Sequence, residues 1–435
     1  MREMRRAIGT AVCAVALIAS CAFAQGTINS ARESGVPLGE APGDEIRADW
    51  TERESLFILP ACEKYIFGVG FTPMVVWTGE QWSNVSGGLD TGTVWDSLFT
   101  IGFEQDISAL AKGKGYGTFG VSAFYYTQSG DFSGEYVGAM SDASNIFSGE
   151  MLRVFEIYYK NELETEYGIF GFRVGQLAAD EDFMGMDYSD VFLNSSFGAI
   201  PANAGDSLAS GATAFSQYSL ATLGATVFWN RDNLDFIVGI YNGNCGEDVS
   251  GNNGFDYELQ NIALWYQLGY NYELGELSGR VQFGGNYHSG RFYDYCTDST
   301  ERNFYSFYIG LQQEFIKDGE GNAVLGGFVR AAWAPDENMA SCTKYADCGL
   351  NWFAPIPGRA DDVAAIGYSV IETGSGARSA DGLKRWDNMI EITYRAQLAS
   401  AIALQPSFQT YFNTVDKNGE TRTAFVVGAR VEINF

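Results

Sequence analysis

Phe425 to Phe435 reads F-V-V-G-A-R-V-E-I-N-F, and its alternation decides the fold. The odd positions Phe425, Val427, Ala429, Val431, Ile433 and Phe435 are apolar, while Gly428, Arg430, Glu432 and Asn434 take the even ones. A two-residue period marks a strand with unlike faces. A half-buried strand of a soluble protein has the same pattern. Three further features separate the two cases. The strand ends the chain on an aromatic residue, the chain opens on a secretory leader, and many similar segments come before it. Together they predict an outer-membrane β-barrel strand with one face to lipid and one to a wet lumen.

The leader is Met1 to Ala24. Arg2, Arg5 and Arg6 form its positive region, Ile8 to Ala19 its apolar region, and Ala22-Phe23-Ala24 its small-x-small cleavage site. Ile18-Ala19-Ser20-Cys21 also reads as a loose lipoprotein box, but a barrel needs no lipid anchor. No later stretch approaches the ~18 apolar residues of a spanning helix. Glycine (52) and aromatics (31 Phe, 24 Tyr, 9 Trp) are abundant, and proline (9) is scarce, which suits a large barrel.

The net charge of −27 becomes −29 once Arg2, Arg5, Arg6 and Glu3 leave with the leader. Such a chain does not suit nucleic acid or anionic lipid as a partner. The charge serves either loop solubility or a cation-tolerant entrance. Cys62, Cys245, Cys296, Cys342 and Cys348 remain after the leader, in a compartment that permits disulfides. Cys342 and Cys348 bracket a short polar segment and are the expected pair; Cys245 with Cys296 is a second option. No spacing fits a metal site, and no cofactor is implied.

Walking the chain gives strands at 64–78, 95–107, 118–128, 151–160, 167–178, 217–229, 234–242, 257–270, 278–289, 303–316, 322–334, 348–356, 362–372, 387–397, 401–413 and 422–435. The prediction is an all-β, sixteen-stranded antiparallel transmembrane β-barrel with short periplasmic turns and long extracellular loops. Connections after even strands are short, such as 230–233 and 317–321. Those after odd strands are longer, such as 129–150 and 179–216. Both termini are therefore expected in the periplasm. Residues 25–63 read as a periplasmic extension or a disordered tail, and 64–435 as the barrel.

Alternation assigns the lumen face. It places Glu104, Asp106, Arg173, Trp265, Arg280, Glu314, Arg330, Glu391 and Arg395 inward. Gln282, Asn286, His288, Gln405 and Gln409 join them. A charge on the lipid face costs about 2–4 kcal/mol at mid-membrane, which forces this phase. Donors, acceptors and rings of this kind suit sugars, which carry dense hydroxyls and flat C–H faces. Loop 179–216 is longer than closure needs. Its Phe183, Met184, Met186, Phe192 and Phe197 predict that it folds inward and narrows the pore.

Several segments resemble the carbohydrate-selective porin (OprB-type) family. They are Asn84-Val85-Ser86-Gly87-Gly88-Leu89-Asp90; Phe172-Arg173-Val174-Gly175-Gln176 with Ala179-Asp180 and Asp182-Phe183; and Phe192-Leu193-Asn194-Ser195-Ser196-Phe197-Gly198. Further on come Gly349-Leu350, Pro357-Gly358-Arg359-Ala360-Asp361-Asp362, Glu391-Ile392-Thr393-Tyr394-Arg395 and Leu404-Gln405-Pro406 with Gln409. The matches run in order over 64–435. Departures are Asn413-Thr414, where the family often has Asn-Pro, the acidic balance and the extra cysteines. The resemblance implies passive uptake of mono- or oligosaccharides across the bacterial outer membrane. It also implies a charged narrowing, for which Arg173, Asp180, Asp182 and Asn194 are first candidates and Glu391 and Arg395 next. Outer-membrane lipid and the barrel-insertion machinery, which reads a terminal aromatic such as Phe435, are the implied partners. Monomer and trimer both stay open.

A general or cation-preferring porin is the alternative. An outer-membrane hydrolase is a weaker one, since the single histidine, His288, stands beside Ser289 with no nucleophile-elbow context. Asp180 and Asp182 imitate a glycosidase pair, but pore constrictions gather carboxylates too. Gly113 to Gly117 reads as a turn rather than a phosphate loop. Asp416 to Glu420 is too short for a calcium loop and reads as a hairpin tip.

Overall fold

The computed structural model describes Leu56 and residues 68–435, apart from 206–207, 247–252, 256, 382–383 and 417. The leader, most of the 25–63 segment and Cys62 lie outside the described residues. Sixteen strands follow one another, β1 (Phe71–Ser86), β2 (Gly92–Asp106), β3 (Thr118–Gln128), β4 (Met151–Thr165), β5 (Gly168–Leu177), β6 (Thr222–Arg231), β7 (Leu234–Asn242) and β8 (Ile262–Leu274) forming the first half. The second half is β9 (Leu277–Asp294), β10 (Ser299–Lys317), β11 (Ala323–Trp333), β12 (Cys342–Phe353), β13 (Val363–Thr373), β14 (Trp386–Ala399), β15 (Ile402–Val415) and β16 (Thr421–Asn434). Each pairs with its sequence neighbours, and β1 closes on β16, so the sheet is a barrel without an edge.

The terminal strand behaves as its alternation requires. Phe425 and Val427 are exposed on the outside, while Ala424, Val426 and Arg430 are buried inside. At the closing seam Arg430 stands directly across from Glu80 of β1 and forms an ion pair with it. The whole barrel follows this phase. Leu264, Phe283, Ile309, Val329, Leu350, Ile366 and Ile392 point to lipid, and Trp265, Gln282, Tyr308, Arg330 and Glu391 point in.

Two strands, β3 and β7, sit at their predicted bounds, and the shifts elsewhere have a common cause. About 9–11 residues span the bilayer, but β9 and β10 are 18 and 19 residues long. They run on beyond the membrane as a paired ribbon and absorb most of the loop expected at 290–302. In the same way β1 begins at Phe71 rather than 64 and takes in Gly79 to Ser86. Outer connections 87–91, 295–298 and 416–420 are therefore short, and 129–150, 178–221 and 243–261 are the long ones.

The expected Cys342–Cys348 bond is overturned. Both residues lie on β12. Six residues of extended chain separate them by roughly 20 Å, whereas a disulfide needs Cα atoms within about 7 Å. Cys348 faces lipid. Cys245 and Cys296 are not joined either: one is buried and the other exposed.

Candidate functional site

The site begins where β5 leaves the wall. Residues 178–221 turn back into the barrel instead of out to solvent. Three single-turn helices shape the segment: Ala179–Glu181, Ser195–Phe197 and Pro201–Asn203. Asn194 caps the second, accepting from the Ser196 amide at 3.0 Å. The apolar side chains seen in the sequence pay the segment's ordering entropy by packing on the inner wall. Phe183, Ile200 and Phe215 join Trp265, Phe292, Phe304 and Tyr308. Met186, Phe192 and Phe197 join Phe328, Met389 and Tyr411. The wall makes room with glycine. A Cβ on Gly367 would sit 2.7 Å from both the Phe192 and the Phe197 rings, and one on Gly349 would sit 2.8 Å from Phe192.

Polar clamps fix the same segment. Arg330 pairs with Asp347 at 2.6 Å and donates to the Phe197 and Gly198 carbonyls at 2.6 and 3.1 Å. Glu391 accepts the Leu193 and Asn194 amides, each at 3.0 Å, and the Ser407 hydroxyl at 2.9 Å. The Asn194 side chain donates to Tyr411 Oη at 2.7 Å. Gln405 and Gln282 reach the Val191 and Gly185 carbonyls at 2.6 and 3.1 Å. Burying these groups is tolerable only because each finds a partner.

Four predicted pore-lining residues are thereby corrected. Arg330, Asn194, Glu391 and Trp265 have at most 1% of their surface exposed. They face inward as predicted, but the inserted segment covers them, so they hold it rather than meet solute. Asp180 also serves the fold, accepting the Tyr218 amide at 2.8 Å. Asp106 caps the short helix Ile107–Leu110 at the Ser108 amide, 2.7 Å away, and stands at the short-turn rim.

A second arm, 129–150, was read as an outer loop and also lies inside. Its Asp142 and the first arm's Ser195 exchange backbone and hydroxyl contacts at 3.0 and 2.9 Å. Asn145 donates to the Phe192 carbonyl at 3.2 Å and accepts from Arg430. Gln409 of β15 holds the Ala143 carbonyl at 2.8 Å.

What stays open is lined by ion-paired side chains. Arg173 of β5 binds Glu156 of β4 and, at 3.3 Å, Asp182 of the inserted arm. Its guanidinium lies 4.2 Å from the centre of the Tyr158 ring. The Tyr158 hydroxyl donates to Glu104, which also pairs with Lys160 at 2.7 Å. Asp182, Arg173, Tyr158, Glu104 and Lys160 thus form one continuous polar track toward the short-turn end. Further round the wall Arg280 grips Asp235 through two bonds of 2.5 and 2.8 Å. Glu314 pairs with Lys317 at 2.9 Å, and Arg395 with Glu432 at 2.9 Å. In contrast Glu181, Asp187 and Asp190 of the inserted arm are exposed, and none forms an ion pair among the described residues.

Glu156, Tyr158 and Lys160 escaped the sequence reading. β4 carries a register slip opposite Val121 and Ala123. Arg153 is inward before it, and Glu156, Tyr158 and Lys160 after it. The signal was the break of alternation at Phe155-Glu156, which a β-bulge produces. His288 faces inward as the alternation predicts, but it is core rather than lining. Its Nε2 donates to the Gly243 carbonyl at 2.8 Å, its Nδ1 accepts from the Gly290 amide at 3.0 Å, and it packs edge-on against Phe215 and Phe292. Ser289 Oγ instead accepts the Ile262 amide at 2.9 Å, so no dyad forms. Asp416 accepts the Asn418 and Glu420 amides, each at 2.9 Å, as a hairpin tip does.

A closed sixteen-stranded barrel with a lipid-facing apolar surface and a loop-narrowed polar lumen is an outer-membrane porin. The sequence model of the carbohydrate-selective porin, OprB family, matches residues 99–435, and the chain belongs to that family. It is an outer-membrane channel for carbohydrates and not an enzyme. The high-pH structure of Pseudomonas putida OprB superposes with a TM-score of 0.77 at 15% identity, over 88% of this chain and 99% of that one. The low-pH structure of the same protein gives 0.58 at 12% identity over the same shares. Likeness at such identities speaks for the fold alone. No curated protein sequence matches the chain significantly.

Proposed function

We propose that sugars pass the narrowing along the track of Asp182, Arg173, Tyr158, Glu104 and Lys160. The observation that carries this reading is the stack of Arg173 on Tyr158 between two carboxylates at the edge of the inserted arm. The arrangement offers a planar donor, acceptors on either side and an aromatic face. Its charges are already paired, so a neutral polyol exchanges hydrogen bonds with them without leaving an ion stranded. The wide lumen keeps water on the remaining lone pairs.

A cation preference accompanies sugar passage in this reading. Arg173 and Lys160 of the track and Arg280, Lys317 and Arg395 elsewhere in the open lumen are all in ion pairs, while Glu181, Asp187 and Asp190 are not. Outer-membrane lipid on the apolar exterior and recognition of Phe435 by the insertion machinery belong to the same reading.

The test is sugar-induced block of current through the reconstituted pore, together with liposome swelling. Wild type should be blocked by neutral sugars, and Arg173→Ala should lose the block while keeping its conductance. Equal swelling rates for sugars, amino acids and salts of like size would refute sugar selectivity.

A further inference from the structure

Below the inserted arm, on the short-turn side, the lumen widens into a cavity of about 540 Å³. It lies between the arm and the lower ends of β7 to β10, away from Arg173 on β5. Its volume falls within the ~300–1,000 Å³ of small-molecule sites. Asp187, Tyr188, Asn271, Arg280, Gln312 and Glu314 are among the residues that line it.

These residues are held in place rather than waving in solvent. The Arg280 fork is fixed by Asp235 and by Asn271 Oδ1 at 3.1 Å. Gln312 donates to Asp187 at 2.9 Å, and its Oε1 is buried with no hydrogen-bond partner. Glu314 is fixed by the Ser278 amide at 2.6 Å. Tyr188 packs over Gly326, where a Cβ would come within 2.5 Å of the ring, and beside Phe353, ring centres 5.8 Å apart; its backbone carbonyl is pinned by Asn351 at 3.1 Å. The side chain is half-buried, so part of the ring is open to the cavity.

We propose that this cavity is an exit subsite for neutral mono- and disaccharides, occupied after a sugar has passed the inserted arm. Tyr188 supplies the stacking platform. Asp187 accepts sugar hydroxyls, and Arg280 donates. Arg280, the cation that lines the site, is neutralised by Asp235, and Lys317 beyond it pairs with Glu314, while Asp187 is in no ion pair among the described residues. Uronates and sugar phosphates are therefore repelled. The proposal rests on the sugar-channel reading above.

The experiment is current block by glucose, maltose and glucuronate added on the short-turn side of single wild-type, Tyr188→Ala and Asp187→Asn pores. Heat-modifiable gel mobility checks folding. Wild type should be blocked by both neutral sugars and not by glucuronate. Tyr188→Ala should raise the half-blocking concentration about fivefold, the loss of one aromatic contact, and Asp187→Asn should admit glucuronate. Neutral-sugar block that is unchanged in both folded variants overturns the subsite, even where Arg173→Ala abolishes block and the channel reading stands. A wild-type pore that swells liposomes with sugars but is never blocked also overturns the subsite alone. A pore that admits no sugar overturns both.

Discussion

The two halves of the lumen are built from similar residue types and do opposite things with them. On the long-loop side, Arg330, Glu391, Asn194 and Gln409 are sealed under two inserted arms together with phenyl rings from the wall and the arms. On the short-turn side, Arg280, Glu104, Lys160 and Arg395 keep contact with the open lumen. The difference teaches that an inward-facing charge in a barrel is not by that fact a pore residue. Whether it meets solute depends on what the loops cover. In the covered half charges such as Arg330 and Glu391 act as clamps, in low dielectric, each held by several partners. In the open half a charge acts as a lining, screened by water.

The largest effect should come from removing the cover. Deleting Gly185 to Pro201 takes away the segment between the arm's ends and exposes Arg330 and Glu391. Single-channel conductance should rise and sugar discrimination should fall. Unchanged conductance would mean that the arm does not define the path.

Breaking one clamp comes next. Arg330→Ala leaves Asp347 buried with Tyr345 alone, and stranding a buried charge costs about 3–5 kcal/mol. The midpoint of the heat-modifiable gel shift should drop, and current noise should rise as the arm loosens. Glu391→Gln keeps the shape but forfeits one acceptor for two backbone amides, at a cost of about 1–3 kcal/mol. Its shift should be smaller and in the same direction. A Glu391→Gln pore as stable as wild type would remove Glu391 from the clamp set.

The comparison also shows what the sequence could reveal. The strands and their faces were legible because lipid enforces a two-residue period on every one of them, as in Phe425 to Phe435. The inward fold of 178–221 was legible because Phe183, Phe192 and Phe197 would have no place outside. The second arm was not legible: Phe132, Val137 and Ile146 are spaced too irregularly to signal which surface they cover. The bulge in β4 hid Glu156, Tyr158 and Lys160, since a reading that extends one phase along a strand puts them on the wrong face. Alternation gives the direction of a side chain from the wall. It carries no information about a loop from elsewhere in the chain that lies across it, and for that reason Arg330 and Glu391 were read as lining.

The smallest predicted effect concerns the open half and depends on its water. Glu181 and Asp190 are exposed and form no ion pair among the described residues, so each adds to the lumen's negative potential. In bulk water two unit charges 4 Å apart interact by only about 1 kcal/mol. Screening shortens the reach to ~10 Å at 0.1 M salt and lengthens it to ~30 Å at 0.01 M. Glu181→Gln combined with Asp190→Asn should therefore lower cation preference modestly, as read from the reversal potential across a salt gradient. The gap from wild type should widen toward 0.01 M salt and close toward 1 M, while passage of neutral sugars stays the same. Identical reversal potentials at low salt would show that the two carboxylates lie off the ion path, and the lumen's selectivity would then have to come from Asp187 and the mouth.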